Sequence, residues 1–70
     1  MDVKSEIAGK VWKMVAAVGD SVDEDDEIVI LESMKMEIPV VAPKAGRIAE
    51  ILVEEGESIQ EDQIIARLET

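Results

Sequence analysis

Residues 45–70, AGRIAEILVEEGESIQEDQIIARLET, lie without a gap on residues 8–33, AGKVWKMVAAVGDSVDEDDEIVILES, at a constant offset of 37. Ala8 matches Ala45, Gly9 matches Gly46, Gly19 matches Gly56, Ser21 matches Ser58, Ile28 matches Ile65 and Leu31 matches Leu68. The chain is an internal duplication. A half of this length cannot bury a sheet face alone, so the two copies are expected to pack about a pseudo-two-fold axis on one shared core. The expected organisation is one domain over residues 1–70 with internal repeats 8–33 and 45–70.

The apolar residues are of a kind that favours pleated strands: nine Val and nine Ile stand against three Leu, one Trp and no Phe or Tyr. Each copy reads as a Gly-led strand, an acidic Gly turn, a short polar stretch and a second strand. In the second copy Ile64, Ala66 and Leu68 alternate with Ile65, Arg67 and Glu69, the pattern of a half-buried strand. Val3 to Ile7 and Met36 to Val41 precede the copies as further strands, with Pro39 tolerated where its missing N–H faces no partner. These elements predict an all-β fold, a small antiparallel barrel or sandwich.

Several function classes are excluded by composition. Seven basic against seventeen acidic residues give a net charge of −10, which repels nucleic acid and anionic lipid. There is no Cys for a disulfide or thiolate site and no His for general base or metal-ligand chemistry. The run Asp23-Glu24-Asp25-Asp26-Glu27 is acidic, but an EF-hand loop counted from Asp23 needs Gly and Glu where Ile28 and Met34 stand, so it reads as a solvated turn and no metal site is expected. No apolar run approaches a membrane span, and the Met1-Asp2-Val3-Lys4 start is unlike a signal peptide. The expectation is a cytoplasmic, non-enzymatic protein. Trp12 reads as partial core rather than as a binding platform, and Lys4, Lys10, Lys13 and Lys44 as surface charge.

One segment resists a purely structural reading. Glu32-Ser33-Met34-Lys35-Met36-Glu37 joins two apolar strands by what must be a tight hairpin. Such turns favour Asn-Gly, Asp-Gly or Gly-X because their central residues need positive φ, and Met-Lys is a poor choice. Met34 and Met36 could be core residues and Lys35 a solvated loop charge. Alternatively, methionines on both sides of a lysine give it a flexible, polarizable collar suited to recognition by another protein. Applying the repeat offset moves Lys35 just beyond either chain end, so the Met34-Lys35 turn is expected at the end of the domain opposite the termini.

Met34-Lys35-Met36, preceded by Glu32-Ser33, resembles the attachment motif of biotinyl domains, usually read as Ala-Met-Lys-Met. The resemblance covers essentially the whole chain, including the duplicated Gly-containing halves, the Val41-Ala42-Pro43-Lys44-Ala45-Gly46 segment and Gly56. It implies a flattened antiparallel barrel of two four-stranded sheets with the target lysine on a hairpin tip. It also implies that biotin protein ligase forms biotinyl-adenylate and that Lys35 takes the biotin as an amide. Met34, Met36, Ser33 and Glu32 are then the residues the ligase reads. Partners would be a biotin carboxylase and a carboxyltransferase, between which the carried carboxyl group moves. Ser33 departs from the usual Ala, and no insertion separates Val11 from Ile28, so the thumb of some acetyl-CoA carboxylase carriers is missing.

The alternative within the same fold is a lipoyl carrier, or a dual acceptor served also by a lipoate-attaching enzyme. Lipoyl sites usually read Asp-Lys-Ala, unlike this Met-Lys-Met. From another class comes an unmodified interaction module, whose partner binding would not depend on Lys35.

Overall fold

The computed structural model describes all residues from Met1 to Thr70. Eight strands follow one another: β1 Asp2–Lys4, β2 Gly9–Met14, β3 Ser21–Val22, β4 Glu27–Ser33, β5 Met36–Val41, β6 Gly46–Ile51, β7 Ser58–Ile59 and β8 Ile64–Glu69. They form two four-stranded sheets, in the orders β1-β8-β6-β3 and β5-β4-β2-β7, and every pairing is antiparallel. The two sheets carry the same strand pattern from opposite halves of the sequence, as the duplication requires. No helix is long and apolar enough to cross a membrane.

Each half lends its short strand to the other half's sheet. β3 pairs with β6, and β7 pairs with β2. The backbone bonds come in matched sets: Val11 N–H donates to Glu57 O at 2.9 Å while Ile48 N–H donates to Asp20 O at 2.9 Å. Gly56 N–H donates to Val11 O, and Gly19 N–H to Ile48 O, both at 2.8 Å. Both glycines have positive φ, 94° for Gly19 and 87° for Gly56, which only glycine adopts without cost. The symmetry extends outside the sequence repeats, because β1 occupies in its sheet the place that Pro39–Val41 occupies in the other: Val3 pairs with Ala66 as Val40 pairs with Val29.

The core follows from this exchange. Of its 14 buried residues, six pairs are repeat mates: Val3 with Val40, Val11 with Ile48, Val22 with Ile59, Ile28 with Ile65, Val29 with Ala66, and Leu31 with Leu68. Ala42 has as its mate Ser5, the one buried polar residue, and Val53 has the partly buried Ala16. Burial of a Val, Leu or Ile side chain is worth about 1.5–3 kcal/mol, and here every such gain needs both halves.

Two strand expectations need correction. The first strand ends at Lys4 rather than Ile7, because the Ser5 hydroxyl bonds both the carbonyl and the N–H of Ile7 and turns the chain there. Simple alternation fails in β8, where Ile65 is fully buried although Ala66 beside it is buried too. The segment leaving β6 crosses over Ile65, with Leu52 N–H donating to its carbonyl at 2.9 Å, as Val15 and Ala16 do to Ile28. Pro39 lies in β5, an edge strand, opposite Ile30. Counting from the turn, this is a non-hydrogen-bonded pair, so the ladder loses no donor.

Gly9 and Gly46 open β2 and β6 where strands approach closely. A Cβ at Gly46 would lie 2.6 Å from the Glu69 carbonyl oxygen, and one at Gly9 would lie 2.9 Å from that of Glu32. Gly46→Ala is therefore expected to cost about 1–3 kcal/mol and Gly9→Ala less. Urea unfolding midpoints measure both; a wild-type midpoint for Gly46→Ala would contradict the close approach.

Candidate functional site: the lysine hairpin

The β4–β5 hairpin closes on the pair Ser33 and Met36, leaving Met34 and Lys35 as its two turn residues. Their φ angles are 52° and 66°, the doubly positive pattern of a type I′ turn. Neither residue is glycine, so each left-handed conformation costs about 1 kcal/mol or more. The turn forms because its flanks leave no other register: Leu31 pairs with Ile38 and Val29 with Val40, with Leu31, Val29 and Val40 all buried. A shift of one residue would turn this apolar set to solvent. Strand packing imposes the turn against the preference of its own residues.

All five residues singled out in the sequence meet on this hairpin. Lys35 is exposed at the tip and takes part in none of the three ion pairs of the molecule. Met34 is 93% exposed and Met36 63% exposed, so neither is a core residue. Ser33 is half-buried beside Gly9. Glu32 is exposed one row back, paired across to Glu37 on one side and Lys10 on the other. Glu37 was legible as a neighbour but not as a partner of Glu32; locating the closing pair at Ser33 and Met36 would have revealed it. Two carboxylates directly opposite each other repel, and they set an acidic ledge under the lysine.

The chain ends occupy the place that the pseudo-two-fold gives the hairpin. The N-terminal ammonium donates to the Leu68 carbonyl at 2.9 Å, and Leu68 N–H donates to Met1 O at 2.8 Å. Elongation along one axis, 32 Å against 18 Å in the other two directions, gives the fold distinct ends.

Elsewhere the structure offers little chemistry. No group of three or more acidic side chains is arranged to hold a metal ion. In the turn at 23–27, Asp26 instead accepts the N–H of Asp23 at 2.8 Å. Two shallow grooves follow the seam between β1 and β5, and neither includes Met34 or Lys35. Trp12 does not join the core even in part: it is 48% exposed and is not among the partly buried residues packed on the core, because β2 bulges between Val11 and Lys13 and Trp12 lies in that bulge. What the hairpin presents is a projecting amine with an apolar, mobile-chained collar, suited to being acted upon.

Comparison with known proteins agrees with this geometry. The family model described as "Biotin-requiring enzyme" matches residues 1–68. The Biotin/lipoyl attachment protein of Bacillus subtilis is 40% identical over 68 residues, 97% of this chain and 93% of that protein. The "Biotinylated protein TB7.3 homolog" of Mycobacterium leprae is 45% identical over 65 residues, 93% of this chain and 92% of that protein. Among solved structures, the urea carboxylase of Kluyveromyces lactis superposes with a TM-score of 0.93 at 38% identity, over 97% of this chain and 6% of the enzyme.

Because Met34 is almost wholly exposed, its left-handed backbone is uncompensated by packing. Met34→Asn, which suits the first position of this turn and keeps Lys35, is expected to raise stability by about 0.5–1 kcal/mol. A urea midpoint equal to or below that of the wild type would contradict the strain.

Proposed function

The chain belongs to the biotin/lipoyl attachment family, and on that premise we propose that Lys35 is its attachment point, carrying biotin as an amide on the side-chain nitrogen. The observation that carries this reading is the exposed Lys35 amine on a two-residue turn that strand packing holds in a conformation neither residue favours. A lysine amine is nucleophilic only when neutral, a minor form near neutral pH. The enzyme that attaches the group must therefore accept its proton. The neutral nitrogen then attacks the acyl carbon of a donor made from biotin and ATP; the amide C–N bond forms as the bond to AMP breaks.

Biotin, when bound, supplies a ureido ring that takes up a carboxyl group at one active site and yields it at another. The chain's own residues do the remaining work. The hairpin holds the acceptor nitrogen beyond the body, Met34 and Met36 give an attaching enzyme an adaptable apolar surface, and Ser33 and Glu32 sit within the same footprint. Tethering raises the effective concentration of the group at successive sites on partner enzymes. On this reading biotin protein ligase, a biotin carboxylase and a carboxyltransferase are the partners, residues 1–70 act as one carrier domain, and the setting is the cytoplasm. The Kluyveromyces lactis urea carboxylase, in which a matching portion makes up 6% of a much longer chain, supports a role beside a carboxylase.

Lipoate on the same lysine is the second reading. It is favoured by the name of the Bacillus subtilis relative, which includes both groups, and by Ser33 in place of the usual Ala.

Lys35→Arg keeps length and charge but supplies a guanidinium that stays protonated. It is expected to abolish the mass increment from ligase, biotin and ATP while leaving the urea midpoint unchanged. A wild-type extent of modification in this variant would remove Lys35 from the account. Met34→Ala and Met36→Ala are expected to slow attachment by about tenfold through loss of apolar contact; unchanged rates would mean that the hairpin's shape alone is read.

A further inference from the structure

The duplication supplies an internal control for the surface, because outward positions below the hairpin tip have mates in the other sheet. On the outer face of the first sheet one row runs Glu50, Arg67, Asp2 across β6, β8 and β1. Its charges satisfy each other, with Arg67 3.4 Å from both Asp2 and Glu50. The mates in the hairpin-bearing sheet form the row Lys13, Ile30, Pro39 across β2, β4 and β5. Where the first sheet has an ion triad, the second has a lysine, a half-buried isoleucine and an exposed proline. Beside this row, in the matching bulge, the first sheet has Ala49 and the second has the half-exposed Trp12. The core pairs stay apolar in both halves; the surfaces have parted.

We propose that this face, centred on Trp12 with Ile30 and Pro39, is the docking surface for the ligase that modifies Lys35. The proposal rests on Lys35 being the attachment point. Three observations select this occupant. The Ile30–Pro39 row is three residues below the closing pair Ser33–Met36, about 10 Å at the rise of a strand. A standard interface covers about 800 Å² per partner, a patch of roughly 16 Å radius, so an enzyme centred on the tip reaches past that row. A bare lysine arm also gives its first enzyme no reach, so the ligase must lie against the body, whereas later enzymes meet a lengthened arm. Lys10, Glu32 and Glu37 lie between the row and the tip, making hairpin and patch one continuous surface with a charged rim. A second copy is a poor occupant, since each chain carries a net charge of −10.

The test uses the full chain in two measurements. Ligase kinetics at saturating biotin and ATP are expected to show KM raised about tenfold or more by Trp12→Ala and by Ile30→Arg, with kcat unchanged. Glu50→Gln on the opposite face should alter neither, and urea midpoints establish that each variant is folded. Separately, the chain labelled with fluorotryptophan has one fluorine resonance, since Trp12 is the only tryptophan. That resonance is expected to shift on adding ligase, in the wild type and in Lys35→Arg alike. Modification of Lys35 with unchanged KM in both face variants and an unmoved resonance would overturn the docking surface while sparing the attachment site. A face-variant defect confined to a later carboxylation step would likewise overturn it, assigning the face to another enzyme. A resonance that shifts with ligase while Lys35 stays unmodified would overturn the attachment reading instead.

Discussion

Val11 and Ile48 each use both backbone polar groups to hold a segment of the other half of the chain, through Glu57 and Gly56 on one side and Asp20 and Gly19 on the other. This reciprocal grip is the constraint on which the rest depends. It prevents either half from completing a sheet by itself, and it brings the paired core residues into one interior. Small domains bury only a modest fraction of their surface, and sharing one core between two halves answers that limit in a chain with no cysteine for a disulfide. The matched bulges in β2 and β6 and the matched left-handed residues Asp25 and Asp62 show how far the symmetry reaches into the backbone.

Where the symmetry runs out, the chemistry begins. The hairpin at Met34 and Lys35 connects the two halves, and its symmetry mate is the meeting of the two chain ends rather than a loop. It is thus a segment free to diverge without harm to the core. It departs from local preference, placing two large side chains in left-handed backbone with almost no packing in return. Turns of this kind are normally filled by Asn and Gly. A turn that local physics disfavours, held by strands that cannot slip, is the kind of departure expected at a functional site.

Much of this was legible in the residues. The constant offset between repeats gave the duplication, the Val and Ile content gave the strands, and the awkward Met-Lys turn marked the site. The bounds of β5, Met36–Val41, are those expected from the sequence. Other features depended on contacts that the sequence does not display. Ser5 ends β1 through its own side-chain bonds, and Ile65 is buried by a crossing segment rather than by alternation. Trp12 stands outside the core, against the partial burial expected of it, because a bulge between Val11 and Lys13 resets which residue points inward. The pairing of Glu32 with Glu37 needed the register, which a turn of unfavourable composition conceals.

The central claim is that one side chain, held at the end of a duplicated sandwich, receives the group this family carries. The most direct measurement is intact mass and peptide mapping of the wild-type chain after separate incubations with biotin ligase, biotin and ATP, and with a lipoate-attaching system. The account predicts a single biotinyl increment on the peptide containing Lys35, with every other lysine unmodified. An increment mapped to Lys4, Lys10, Lys13 or Lys44, or no increment from either system, would contradict it.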